Sequence, residues 1–174
     1  MGDELMQYIS KSDFRQCDSI YVKISKEILD REYVNWLDSS KRIIGTLYCL
    51  TDIPKLKLNA NPLRFKGSTY LLIGGKTFSA ATDLASAFKC YNAGRIIGTE
   101  TGGLTASFGD VYTFELPNTK LNVGVSYKKF INACGKDDGH GVIPDYIIKN
   151  SFEDDKKDVD KVLEFTIHLI NQEK

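Results

Sequence analysis

The stretch Tyr70-Leu71-Leu72-Ile73-Gly74-Gly75-Lys76-Thr77-Phe78-Ser79-Ala80-Ala81-Thr82-Asp83-Leu84-Ala85-Ser86-Ala87-Phe88 constrains the fold more than any other part of the chain. Residues 70–73 form an apolar run short enough for a buried strand, and Gly74-Gly75 stops it. From Ala81 the apolar residues fall at Ala81, Leu84, Ala85 and Phe88, the spacing of one helical face. Cys90-Tyr91-Asn92-Ala93-Gly94 ends that helix with a glycine near the position beyond its C-cap. Arg95-Ile96-Ile97-Gly98 is then a second short buried strand. A strand, a helix and a strand in succession make a crossover unit, so the two strands should be parallel and the fold class α/β.

Ser79 lies at the strand-to-helix junction, where two readings compete. An N-cap serine lets Oγ accept from the free amides of the first turn. A nucleophile also belongs there, because those amides and the partial positive charge of the helix end stabilise a developing oxyanion. N-caps far outnumber nucleophiles, so the local pattern alone favours capping. Two other motif readings fail on spacing. Gly74-Gly75-Lys76-Thr77 would need a further glycine at the Tyr70 position to make a phosphate loop. Ser79 is flanked by Thr77 and Ala81, not by the glycines of a hydrolase elbow.

Three further segments follow in order: Gly94-Arg95-Ile96-Ile97-Gly98-Thr99-Glu100-Thr101-Gly102-Gly103, then Leu116-Pro117-Asn118-Thr119, then Gly139-His140-Gly141-Val142-Ile143-Pro144-Asp145. With the Ser79 segment, this ordered set resembles the catalytic domain of the C-terminal-processing (tail-specific) serine peptidases and their tricorn-like relatives, over about residues 60–170. The resemblance implies a crotonase/Clp-protease-like scaffold: a mostly parallel sheet with crossover helices and a β-hairpin extension. It implies Ser79 as nucleophile, the Ala80 amide as an oxyanion donor, and polypeptides as substrates. The tail-specific branch carries its general base, a lysine, at the position held here by Leu104. The tricorn-like branch uses a histidine from before the nucleophile, and residues 1–78 contain none. The family often has an acidic residue where Thr82 stands, with Asp83 next door on another helical face. His140, in a polar loop shortly before Pro144-Asp145, is the candidate substitute base.

Residues 1–12 read as a helix with Asp3-Glu4 in its first turn. In the family resembled, a strand ending in a Gly-rich turn precedes such a helix and supplies an oxyanion amide, and Gly2 would be its remnant. The expectation is therefore a single domain over residues 1–174 that is a C-terminal fragment of a longer peptidase. Residues 1–60 are a poorly defined α/β segment and residues 61–174 the nucleophile-bearing core. Residues 21–24 alternate like a strand, residues 25–42 read as a helix presenting Ile28, Leu29, Trp36 and Leu37, and residues 43–50 as another strand. Residues 111–127 read as a hairpin turning at Pro117-Asn118-Thr119-Lys120. Residues 154–171 read as one closing helix, acidic at its start.

Lys+Arg and Asp+Glu are equal at 23 each, so no basic excess points to nucleic acid. No apolar run reaches the roughly 18 residues of a membrane helix, and no signal-peptide pattern opens the chain, although the resemblance implies a secreted or periplasmic full-length protein. Cys17, Cys49, Cys90 and Cys134 include no C-x-x-C, and their pairing stays open. Cys134, Asp137, Asp138 and His140 make a poor metal set, so neither metal nor cofactor is expected. A second reading is a member of the same family that holds peptides or lipid-like ligands without cleaving them, which Leu104 in the lysine position favours.

Overall fold

The computed structural model describes residues 2–173. In chain order the elements are α1 (Gly2–Ile9), β1 (Cys17–Lys23), α2 (Lys26–Asp30), β2 (Leu47–Leu50), β3 (Tyr70–Ile73), α3 (Ala80–Cys90), β4 (Arg95–Gly98), β5 (Ala106–Glu115), β6 (Asn122–Asn132), β7 (Tyr146–Ile147), α4 (Phe152–Lys156) and α5 (Lys161–Gln172). A short 3-10 turn covers Ser39–Lys41.

The strand–helix–strand unit forms as its sequence dictates. β3 and β4 are parallel, in register from Tyr70 opposite Arg95 to Ile73 opposite Gly98. Their close approach needs a glycine: Gly98 has φ of 129°, and a Cβ there would lie 1.9 Å from the Ile73 carbonyl oxygen. β7 joins as a third parallel strand, pinned where Asp145 both donates its amide to the Ile96 carbonyl and accepts the Ile96 amide on Oδ2. Leu71 and Ile73 point toward α3, while the Tyr70 hydroxyl on the other face donates to Glu173 at the end of α5. Tyr146 on β7 and Phe165 on α5 pack with ring centroids 5.5 Å apart, tilted by 49°, on that side.

The fold is mixed α/β, but the parallel sheet is the smaller of two. The second sheet is antiparallel, in the order β2-β1-β6-β5. The β5–β6 hairpin is longer than residues 111–127 and recruits β1 and β2, an arrangement that needs no crossover helices. Two further expectations are corrected. Residues 25–42 give α2, capped by Ser25, and the separate 3-10 turn instead of one helix; after α2 the chain reverses through Glu32 at φ 58°. Val34 and Leu37 are buried beside Val22, Ile24 and Ile28, and Trp36 is 51% exposed, so the apolar spacing reflects a packed turn rather than a helix face. The closing helix is two helices, broken at Asp158 (φ 54°) and restarted by Asp160, whose side chain accepts from the Leu163 amide.

The main core lies between α1, α3 and the parallel sheet: Met6, Phe14, Ile73, Ala85, Phe88, Ile96 and Val142. Cys90 and Cys134 form a disulfide that ties the end of α3 to the segment after β6; Cys17 and Cys49 are free. Among the described residues no helix is long and apolar enough to cross a membrane.

Candidate active site at the N-terminus of α3

Ser79 occupies the N-cap of α3 without acting as a cap. Its side chain makes no capping hydrogen bond, and its backbone sits at φ 53°, ψ −131°. That region is costly for any residue with a Cβ, about 1–3 kcal/mol, and ordinary capping serines are extended instead. Ser25 and Ser151, at the starts of α2 and α4, show the ordinary form, with extended backbones and hydroxyls that accept from the first turn. The strained turn at Ser79 leaves Oγ free at the solvent-exposed end of the helix. The Ser79 carbonyl accepts from the Thr82 amide (2.7 Å) and the Asp83 amide (3.0 Å), so the helix begins at once after it. Ala80 is the first helical residue, and its amide has no partner within the helix.

The loop of residues 99–105 is stapled against this turn. The Gly103 amide donates to the Thr77 carbonyl (2.9 Å), which also accepts from Thr82 Oγ1 (3.1 Å). Only glycines fit: a Cβ at Gly102 would lie 2.2 Å from the Gly75 carbonyl oxygen, and one at Gly103 would lie 2.3 Å from Thr82 Oγ1. Thr82, where the family often has an acid, is buried in this staple. Leu104 follows directly and is bridged to Gly141. Thr101 is buried in the same strip, with its amide donating to the Val142 carbonyl and its hydroxyl accepting from the Val142 amide at 2.8 Å.

Ser79 opens on a cleft of about 270 Å³ between α3 and the antiparallel sheet. The N-cap and first turn of α3 contribute Ser79 and Asp83; β1 contributes Cys17; β5 and β6 contribute Ser107, Phe108, Phe130 and Asn132. Asp83 is half-buried, and that desolvation pushes its carboxyl above the ordinary range, against a smaller downward pull from the Asn132 amide. Asn132 Nδ2 stands near that carboxyl without reaching hydrogen-bonding geometry and has no other partner. The Cys17 thiol is raised chiefly by burial and donates toward the Ser19 and Ile131 carbonyls, which makes it a poor nucleophile. No local pattern in the sequence marks Asn132 or Cys17 as a neighbour of Ser79. Asp83 is marked there only as the acid next to Thr82, on another helical face.

His140 lies elsewhere. It lines a separate hollow of about 400 Å³ with the Cys90–Cys134 disulfide, Lys89 and Lys136. Its Nδ1 is 3.2 Å from Glu100 Oε1, which also accepts the Gly141 amide at 2.7 Å. These contacts hold the Glu100 carboxyl below its ordinary range, the Gly141 hydrogen bond contributing most. Asp137 pairs with Lys129, and Cys134 is taken by the disulfide.

The chain belongs to peptidase family S41, whose family model matches residues 12–148. No curated protein matches it. Among solved structures, it is similar to a putative peptidase from Parabacteroides merdae ATCC 43184 (18% identity, TM-score 0.64), covering 97% of this chain and 46% of that one. It also matches the photosystem II D1 C-terminal processing protease (19% identity, 85% of this chain, 30% of that one, TM-score 0.48). The chain thus spans less than half the length of these solved relatives. The first likeness concerns the fold.

Proposed function

We propose that this chain is the nucleophile-bearing core of a longer serine peptidase, on a crotonase/Clp-protease-like scaffold, and that Ser79 forms its acyl-enzyme. The observation that carries the reading is the Ser79 hydroxyl: it stands at the positive end of a helix, on a strained backbone, uncommitted to capping and open to a cleft. Ser79 Oγ attacks the carbonyl carbon of a peptide bond while its proton passes to a base. The Ala80 amide donates to the oxyanion. The C–N bond breaks, the amine leaves with a proton, and water cleaves the ester to release the acid and restore the hydroxyl.

No histidine or lysine lines the cleft beside Ser79 among the described residues. Leu104 cannot take a proton, and His140 faces a different hollow in contact with Glu100. The base therefore comes from the part of the longer protein outside this chain, with His140 the second choice. A missing general base costs about 10²–10⁴ in rate, so the chain alone should be slow.

The test is covalent labelling by a fluorophosphonate, read by intact mass and peptide mapping. The expected result is complete labelling at Ser79 in the longer protein, slow labelling of this chain, and none in Ser79→Ala. The Leu104→Lys variant of this chain should label at least about tenfold faster, since it places an amine one residue from the Gly103 staple. A longer protein that binds peptides yet never labels would establish the non-catalytic reading.

A further inference from the structure

The cleft beside Ser79 is short of positive charge. Asp83 has no lysine, arginine or histidine within ion-pair distance among the described residues, whereas Asp110, on the rim, is held by Lys128 at 2.6 Å. A half-buried carboxylate without a counter-ion is expensive, and so is a buried donor without an acceptor. Asn132 is such a donor: it is 2% exposed, lines the cleft, and its Nδ2 is unpaired. Asn132 meets Asp83 only loosely and brings no positive charge, so the carboxylate on this floor is left for a cationic ligand to neutralise.

The geometry sets the size and sign of that ligand. Asp83 lies four residues after Ser79, one turn or about 6 Å along the helix axis. The four-carbon stem of a lysine spans about the same distance from its Cα to its ammonium. Phe108 and Phe130 offer apolar surface for such a stem, and Ser107 a further polar atom.

Resting on the reading of Ser79 as the nucleophile, we infer that Asp83 selects a basic side chain, lysine or arginine, in the residue that donates the acyl group. The substrate carbonyl sits at Ser79, its side chain runs down the cleft, and the cation meets the Asp83 carboxylate. Asn132 is the buried donor left to hold that carboxylate in place. Binding one cation would bring the floor close to charge balance without moving the Asp110–Lys128 pair.

Two measurements test this separately from the nucleophile reading. The first is the binding of benzamidine, a small amidinium, to this chain by titration calorimetry, which needs no chemistry at Ser79. Wild type and Ser79→Ala should bind it alike, and Asp83→Asn, close to isosteric, should bind it at least tenfold more weakly with an unchanged circular dichroism spectrum. The second is the labelling rate of Ser79 in the longer protein by peptidyl diphenyl phosphonates bearing a lysine or a leucine side chain. The lysine probe should react at least tenfold faster, and Asp83→Asn should bring the lysine-to-leucine rate ratio close to one. No binding of benzamidine, equal binding to wild type and Asp83→Asn, or equal rates for the two probes would overturn the inference. Failure of every phosphonate to label, with benzamidine still bound through Asp83, would instead sink the nucleophile reading and leave a cation-binding site.

Discussion

At Ser79 the backbone carries a cost that only its side chain can justify. A serine at φ 53°, ψ −131° is strained by about 1–3 kcal/mol. Glycine adopts that region freely, although its more flexible unfolded chain returns about 0.4–1 kcal/mol of the gain. Ser79→Gly should therefore be more stable than wild type by about 1 kcal/mol, raising Tm by roughly 2–4 °C, while losing all labelling. Ser79→Ala keeps its Cβ and hence the strain, so its Tm should stay near wild type. Thermal melts of the three proteins check this, and a Ser79→Gly variant less stable than Ser79→Ala would show that the turn is relaxed. How much of the candidate site was legible follows from where its residues lie in the chain. Ser79 could be placed from its strand, its turn and its helix, all within one short segment. Asp83 and Asn132 could not, because their meeting depends on β6 folding against α3, a long-range event with no local pattern.

Among the elements, the loop before β5 and the strip before β7 set the frame around Ser79, and Glu100 clips them together. Its carboxylate accepts the Gly141 amide and faces His140 Nδ1. Because the folded pKa is below the ordinary glutamate value, the clip is fully present above that value and is lost as pH falls through the lowered one. Glu100→Gln should thus lower Tm relative to wild type at pH 6, with the gap closing as both approach pH 3, and the Gly141 amide should exchange faster only in the upper part of that range. A gap that persists unchanged into acid would assign the loss to packing instead of charge. The elements themselves were unevenly legible. The β3–α3–β4 unit has short uniform runs ended by glycines, so its boundaries follow from the chain. α2 and the α4–α5 break do not, since a residue in the left-handed region decides each, and neither Glu32 nor Asp158 advertises it. The restart at Asp160 and the capping box of Ser151 with Asp154 were readable N-terminal signals that one continuous apolar stripe outweighed.

The whole molecule joins two sheets of different kind, and the cleft exists because α3 is fastened to both. Toward the parallel sheet the fastening is apolar, through Leu71, Ile73, Ala85, Phe88 and Ile96. Toward the antiparallel sheet it is thin: a buried hydrogen bond from Ser86 Oγ to the Ala133 carbonyl at 2.9 Å, and the Cys90–Cys134 disulfide. Composition could not reveal this division, because four cysteines allow three pairings and only the folded positions of α3 and β6 choose one. The disulfide closes a segment with a sequence separation of 44, and chain entropy then assigns it about 4 kcal/mol. Reduction should lower Tm by roughly 8–16 °C, and Cys90→Ser with Cys134→Ser should reproduce that loss without reductant. Asn132 is two residues before Cys134, so the cost should reach the cleft: benzamidine binding should weaken in the double variant at a temperature where it remains folded. A reductant-treated protein with all four thiols titratable and an unchanged melting curve would show that packing alone holds α3 against β6.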